Sequence, residues 1–313
     1  MTASSSLQFD WDAPSVAALV RATLDEDIGR GDLTTLATVP PNVLARARII
    51  AKQDLVLAGL PLAERIFRAL DSAIRLRSNY AESAQVSRGS EVAQIEGHAA
   101  AILTGERTAL NFLAHLCGIA TLTHRFVEAI AGTRARIRDS RKTTPLLRGL
   151  EKYAVRAGGG SNHRFGLFDA ILLKENHIAL AGGITAALAR AKQFAASRVQ
   201  AGSEMTAYES FRAPEAPIPI QIEVRDESEL REALAAGADS VMLDNVSPAE
   251  AARLAGIVRA GRPACLVEVS GGVTLATARA YAEAGVDFIS VGALTHSAPA
   301  ADLSLLVSTG FSG

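Results

Sequence analysis

Aromatic residues are scarce in this 313-residue chain, at 5% with a single tryptophan, and there are only two cysteines. Few stacking rings and a net charge of −1 exclude a general grip on nucleic acid, which needs a basic surface interleaved with aromatics. Cys117 and Cys265 are far apart and sit among apolar neighbours, so they read as buried, reduced thiols rather than a disulfide or half of a metal site. No apolar run approaches the roughly 18 residues of a membrane span. The start, Met1–Trp11, is polar and lacks a basic segment followed by an apolar stretch. No export signal is read there, and a cytoplasmic location is expected.

The remaining composition is that of a globular protein, 49% hydrophobic and 21% charged, long enough for one large domain or two ordinary ones. Charge is unevenly placed. Arg134–Arg164 carries nine basic residues and two acidic ones, whereas Ser203–Leu254 carries eleven acidic residues and four arginines. A positive region facing a negative one suits an anionic substrate held beside a metal ion. Charge alone does not separate that reading from two solvated faces.

The first part of the chain predicts a small α+β domain. Asp12-Ala-Pro14 reads as a capped helix start, and Gly29–Thr35 as a loop. Short, partly alternating runs at Ala45–Ala51, Asp54–Ala58, Ile74–Ser78, Ser83–Val86 and Glu91–Glu96 read as strands around a helix at Pro61–Leu70. Leu103–Ile130 has helical spacing, with Gly118 as a break and Gly132 as a stop. The second part alternates β-type runs with helices. Its strands are Ala135–Asp139, Ala170–Lys174, Ile220–Val224, Ser240–Asp244, Leu266–Ser270 and Phe288–Gly292. Glu223, Asp244, Glu268 and Ser290 recur 21, 24 and 22 residues apart, the length of one strand, loop and helix. Successive βα units build a parallel barrel or open sheet, whose ligands sit at the carboxyl ends of the strands. Asp139, Lys174, Glu223, Asp244, Glu268 and Ser290 are therefore expected to ring one opening. Ala196–Pro219, with three prolines and no period, reads as a long exposed loop.

Three constellations carry chemistry. Arg138-Asp-Ser140-Arg141-Lys142-Thr-Thr and Gly158-Gly-Gly-Ser-Asn-His163-Arg164, with Lys174, supply cations and backbone N–H groups for a substrate bearing carboxylates or phosphate. Glu223 and Asp244 at neighbouring strand ends can hold Mg²⁺ directly or through water, or act as bases. Ser270-Gly271-Gly272 and Ser290-Val291-Gly292-Ala293 are strand-to-helix turns of the kind that receives phosphate, although each alone is also an ordinary tight turn.

These residues stand in motifs that resemble one family. They are Arg141-Lys-Thr-Thr-Pro, Leu150-Glu-Lys-Tyr-Ala-Val-Arg, Gly158-Gly-Gly-Ser-Asn-His-Arg, Leu173-Lys-Glu-Asn-His, Met242-Leu-Asp-Asn, Glu268-Val-Ser-Gly-Gly and Ser290-Val-Gly-Ala-Leu-Thr-His-Ser, with Glu26–Thr35 and Gly105–Asn111 earlier. In this order they resemble quinolinate phosphoribosyltransferase, the carboxylating nicotinate-nucleotide pyrophosphorylase, from about residue 16 to residue 305. The resemblance implies an N-terminal α/β sandwich, placed at 1–117, and an incompletely closed α/β barrel, placed at 118–313. It implies that Arg141, His163, Arg164 and Lys174 grip quinolinate, joined by Arg107 from the neighbouring subunit of a dimer or multiple of dimers. Lys142, Glu223, Asp244, Ser270, Gly271, Gly272 and Gly292 would serve phosphoribosyl pyrophosphate and its Mg²⁺. Ser140, Ser290, Val291 and Ala293 complete the expected substrate contacts. Lys142, Glu223 and Asp244 are the expected catalytic residues, with Lys142 the candidate proton donor to the decarboxylated carbanion.

Two positions depart from the family's Thr-Arg-Lys-Thr-Thr-Pro-Gly pattern. Ser140 replaces Thr and keeps the hydroxyl. Leu146 replaces Gly and is expected to bear on the loop's conformation. Rival readings are a Schiff-base aldolase built on Lys174 and a non-catalytic phosphometabolite-binding or metal-uptake-associated relative of the same fold.

Overall fold

The computed structural model describes residues 7–199 and 217–308, and the chain divides into two compact units. The first comprises the chain up to His124, Leu150–Gly159 and the end from Ala298; the second comprises Arg125–Gly149 and Gly160–Ser297. The chain thus passes between the two units four times.

The first unit opens with helices α1 (Pro14–Ile28) and α2 (Leu33–Thr38), strands β1 (Leu44–Ala51) and β2 (Leu55–Val56), and helix α3 (Leu60–Leu70). Strands β3 (Arg75–Arg77), β4 (Gln85–Val86) and β5 (Glu91–His98) lead into the long helix α4 (Ala99–Ala129). Helix α5 (Arg148–Ala157) and the last strand β12 (Leu303–Ser308) return to the same unit. In β1, Ala45, Ala47, Ile49 and Ala51 are buried and the residues between them are not, as a sheet with one covered face requires. The sheet has the order β12-β1-β5-β3 and is antiparallel throughout. Strand β12 pairs with β1 from Leu303↔Ala51 to Ser308↔Arg46, which draws the chain's end into the first unit.

Local readings of this unit need three corrections. Gly118 does not break α4; a Cβ there would lie 2.2 Å from the Pro299 carbonyl oxygen, so this glycine serves close packing within an unbroken helix. The loop read at Gly29–Thr35 ends early, because Asp32 accepts a hydrogen bond from the Thr35 N–H at 3.0 Å and caps α2. Asp12 caps nothing; Ala13 holds the N-cap of α1 without a side-chain bond, and Asp12 pairs with Arg65 at 2.6 Å. Helix α5 is anchored by its buried residues. The Tyr153 hydroxyl donates to Glu82, whose carboxylate also accepts the N–H groups of Gly59 and Leu60 at the start of α3. Burial pushes the Glu82 carboxyl above the usual carboxylate range.

The second unit is a six-stranded parallel sheet in the order β6-β11-β10-β9-β8-β7. Its strands are β6 (Arg136–Arg138), β7 (Ile171–Leu173), β8 (Ile220–Val224), β9 (Ser240–Asp244), β10 (Leu266–Ser270) and β11 (Phe288–Ser290). Helices α6 (Glu175–Ala181) and α7 (Ile184–Val199) follow β7, and α8 (Glu227–Ala235), α9 (Pro248–Gly261), α10 (Leu275–Glu283) and α11 (Ala293–His296) follow the later strands in turn. Buried Val241, Met242 and Leu243 in succession show a strand covered on both faces, the mark of a parallel sheet under helices. Asp226 and Ser247 cap α8 and α9 through hydrogen bonds to the N–H groups of Glu229 and Glu250.

Among the described residues β6 and β7 do not pair, so hydrogen bonds leave the barrel open between them. Ser161 runs beside β6 instead, donating its N–H to Ile137 and accepting from the Asp139 N–H. From that segment Arg164 donates to the Ala170 carbonyl, just before β7, at 3.1 Å. Of the loop read at Ala196–Pro219, Ala196–Val199 is the last turn of α7, and residues 200–216 lie outside the described residues. No helix among the described residues is long and apolar enough to cross a membrane.

Leu146 adopts φ +67° with its side chain 92% exposed. The loop therefore keeps a left-handed backbone at the position where glycine was expected. That conformation costs an L-residue about 1–2 kcal/mol, against about 0.5–1 kcal/mol for the extra chain entropy of glycine. Leu146→Gly is expected to raise stability by about 0.5–1 kcal/mol in a denaturant titration. A loss instead would mean that another chain covers this leucine in solution.

Candidate active site

The parallel pairing sets Asp244, Ser270, Ser290 and Arg138 in one row across β9, β10, β11 and β6, at the carboxyl ends of the strands. Their polar character is divided between two roles. Lys174 is exposed and Glu223 and Asp244 are half-buried, whereas Asp139, Glu268 and Ser290 are buried. The six residues expected to ring one opening are thus three that face it and three that build its floor. Glu268 in particular lies in the middle of β10, not at its end.

The cationic side begins on the loop after β6. Ser140 accepts the Lys142 N–H at 3.1 Å, and Thr295 of α11 donates its hydroxyl to the Lys142 carbonyl at 2.8 Å. The Lys142 stem passes Gly292, where a Cβ would lie 3.1 Å from its Cδ. Arg141 and Arg164 are electrostatic neighbours. Burial, then the charge of Arg141, lowers the pKa of the Arg164 guanidinium. The Nε atoms of both arginines are buried without a hydrogen-bond partner. Two guanidiniums held together against their own repulsion have the chemistry to receive an anion of matching size.

His163 sits between the floor and this pair. Its backbone N–H donates to Asp139 at 2.7 Å, and its ring meets Gln221 at 3.1 Å and the Arg164 N–H at 2.8 Å. Asp139 also accepts the Asn162 side chain at 2.7 Å, so a buried carboxylate shapes the Gly158–Arg164 segment. Not every cation of Arg134–Arg164 belongs here. Arg134 pairs with Asp287, Arg148 spans Thr143 and the Phe165 carbonyl, and Lys152 is buried in α5 of the first unit.

The second cluster holds Glu223, Asp244, Lys174 and Lys142. Lys174 Nζ lies 2.5 Å from Glu223 Oε2, the arrangement of a paired cation rather than of a free amine nucleophile. Burial and the charge of Glu223 raise the Asp244 pKa, while Lys174, the Asn245 amide and Lys142 oppose that rise. Asn245 donates to Asp244 at 2.9 Å. A Cβ on Gly271 would lie 2.1 Å from Asn245 Oδ1, and Gly271 itself has φ +94°, so this turn admits only glycine. Gly272 continues the turn with φ +62° and open space around it. Ser270 accepts the Asn245 N–H at its carbonyl. On the neighbouring turn the Val291 N–H donates to the Arg138 carbonyl, and Ala293 is the first residue of α11. Arg107 is an exposed residue of α4 in the first unit.

Gln221, Asn245 and Arg138 were not assigned roles from sequence. Gln221 had a signal: it stands two residues before Glu223 in one strand, so both side chains share a face.

The family model of the N-terminal domain of quinolinate phosphoribosyl transferase matches residues 32–117, and that of the C-terminal domain matches residues 119–213 and 196–306. A probable nicotinate-nucleotide pyrophosphorylase (carboxylating) of Bacillus subtilis is 40% identical over 280 residues, covering 90% of this chain and 89% of that protein. One so named from Synechocystis is 41% identical over 284 residues, covering 91% and 90%. Among solved structures, the nicotinate-nucleotide pyrophosphorylase from Francisella tularensis has a TM-score of 0.85 at 37% identity, covering 98% of this chain and 100% of that one. With both domains matched in order and relatives alike over nearly their whole length, the chain belongs to the quinolinate phosphoribosyltransferase family.

Proposed function

We propose that this protein transfers the phosphoribosyl group of phosphoribosyl pyrophosphate to quinolinate with loss of CO₂, giving nicotinate mononucleotide and pyrophosphate for NAD biosynthesis. The observation that carries the reading is the Arg141–Arg164 pair, held in the same parallel-sheet unit as the Lys174–Glu223–Asp244 cluster. The pair suits a dicarboxylate, and the cluster suits a ribose and its diphosphate. CO₂ release from quinolinate, dependent on phosphoribosyl pyrophosphate and Mg²⁺, tests the proposal; release without phosphoribosyl pyrophosphate, or none at all, would overturn it.

In this reading Arg141, His163, Arg164 and Lys174 orient quinolinate so that its ring nitrogen faces the ribose. Breaking the bond to diphosphate develops positive charge on the sugar, which Glu223 and Asp244 face, and negative charge on the leaving group, which Lys142 and the Gly271–Gly272 and Gly292 turns receive. Lys142 is the residue placed to return a proton after decarboxylation. Two carboxylates with hard oxygens suit Mg²⁺, which keeps water and takes further ligands from phosphates. No group of three or more His, Cys, Asp or Glu among the described residues is arranged to hold a metal, so the diphosphate would supply the remaining ligands. Bound there, Mg²⁺ would neutralise the leaving group. The protein acts in the cytoplasm as a dimer, or a multiple of dimers, with Arg107 completing the partner's site.

Asp244→Asn is expected to raise the KM for phosphoribosyl pyrophosphate and the Mg²⁺ requirement, because it removes charge and oxygen donor strength from a hard-cation site. Calorimetric binding of quinolinate alone should survive. A fall in quinolinate binding with unchanged Mg²⁺ dependence would place Asp244 on the other substrate.

A further inference from the structure

The floor of the second unit contains a carboxylate that the proposed chemistry does not use. Glu268 is fully buried. Its Oε2 accepts from Arg138 Nη1 at 2.8 Å and from Gln221 Nε2 at 2.9 Å, and its Oε1 accepts from the Ser290 hydroxyl at 2.5 Å. Arg138 is held from its other side by Phe288, with the guanidinium carbon 3.5 Å from the ring centre. A buried carboxylate with three donors resembles a structural ion pair, but here the direction of one hydrogen bond, that from Gln221, is transmitted onward.

Arginine can only donate, so Glu268 accepts. Gln221 must then turn its NH₂ toward Glu268 and the Ser240 hydroxyl, at 2.9 and 3.2 Å, which leaves its carbonyl oxygen facing His163 Nε2 at 3.1 Å. An amide oxygen only accepts, so Nε2 of His163 carries the proton and Nδ1 is left as an acceptor. Nδ1 is the atom that receives the Arg164 backbone N–H at 2.8 Å. The chain of directions therefore runs from Glu268 through Gln221 and the imidazole into the backbone of the residue whose guanidinium forms half of the anion receptor.

We infer that Glu268 and Gln221 are positioning residues: they hold the Nε2–H of His163, fix the orientation of its ring and so aim the side chain of Arg164, whose backbone that ring binds, at the substrate carboxylate. The inference deepens the proposed function and rests on it for the identity of that carboxylate. Neither residue touches the reacting atoms. Their effect belongs on substrate binding, not on the chemical step.

The experiment uses the full-length protein with ¹⁵N-labelled histidine. In the wild type, His163 should show a protonated Nε2 and an unprotonated Nδ1. Gln221→Met keeps the size of the side chain and leaves the Glu268–Arg138–Ser290 contacts in place while cutting the relay. The Arg164 N–H still makes Nδ1 an acceptor and Glu268 Oε1 still lies 3.7 Å from Nε2, so the tautomer should survive. With its nearer acceptor gone, the Nε2 resonance should shift and the ring lose its fixed orientation, raising the KM for quinolinate about tenfold with kcat within about twofold. The KM for phosphoribosyl pyrophosphate should not move. Glu268→Gln, if folded, should do the same, because an amide there no longer dictates which way Gln221 turns. A wild-type ring protonated at Nδ1, or a Gln221→Met protein with an unchanged His163 spectrum or unchanged quinolinate KM, overturns the inference. The spectrum needs no substrate. If the wild type does not consume quinolinate, the functional reading fails while the His163 spectrum still decides the relay.

Discussion

Replacing Arg141 or Arg164 by alanine is expected to weaken quinolinate binding roughly tenfold to a hundredfold in each case, since one charge-assisted hydrogen bond contributes about 1.5–3 kcal/mol. The structure gives the reason for expecting the upper part of that range for Arg164. Its guanidinium is already partly desolvated and lies against the charge of Arg141, so the free site contains an unfavourable arrangement that a dianion relieves. Removing one arginine removes both a donor fork and half of the field that draws the second carboxylate. Pyridine, lacking both carboxylates, should bind poorly to the wild type. Isothermal titration with quinolinate checks both statements. Unchanged affinity in both variants would remove the anion receptor from the proposed site.

Arg107→Ala and Lys142→Ala are each expected to be folded and nearly inactive alone, yet to recover activity when mixed. Arg107 lies exposed on α4 in the first unit, and Lys142 lies on the loop after β6 in the second. In the proposed two-fold dimer, Arg107 serves the partner's site and Lys142 its own, so a mixed dimer has one site with both residues and one with neither. With random pairing of equal amounts, half the dimers are mixed. About a quarter of wild-type activity should therefore return after subunit exchange. The assay is CO₂ release before and after exchange, with exchange itself followed by a mass or affinity tag. Failure to recover, once exchange is demonstrated, would mean that Arg107 does not act in trans.

Much of the fold was legible because its signals are local. The six strands of the parallel sheet appear where short apolar runs end in polar residues, and their ends differ from expectation by a residue or two. The recurring βα length follows from geometry that any parallel unit must satisfy. Misreadings arose where a side chain or a distant segment decides the backbone. Gly118 reads as a helix break until Pro299 is seen to occupy the space its side chain would need. Asp32 reads as part of a loop, although its hydrogen bond to Thr35 is a local signal that Asp followed by a hydroxyl-rich segment could have supplied.

By itself the sequence determined which residue types stand at the strand ends, and with them the anionic class of ligand: Arg141, Lys142, Arg164 and Lys174 against Glu223 and Asp244. It could do so because chemistry resides in the side chain and the period of the elements places strand ends in register. Only the tertiary structure decided how the polar residues divide. Asp139, Glu268 and Ser290 have the same kind of sequence position as Lys174, Glu223 and Asp244, yet they are buried and spent on holding other residues. Burial and hydrogen-bond direction depend on what the other strands present, from Arg138 on β6 to Gln221 on β8, and those partners are as much as 130 residues away in the chain. The same holds for β12, whose place beside β1 depends on an edge that only the folded first sheet provides.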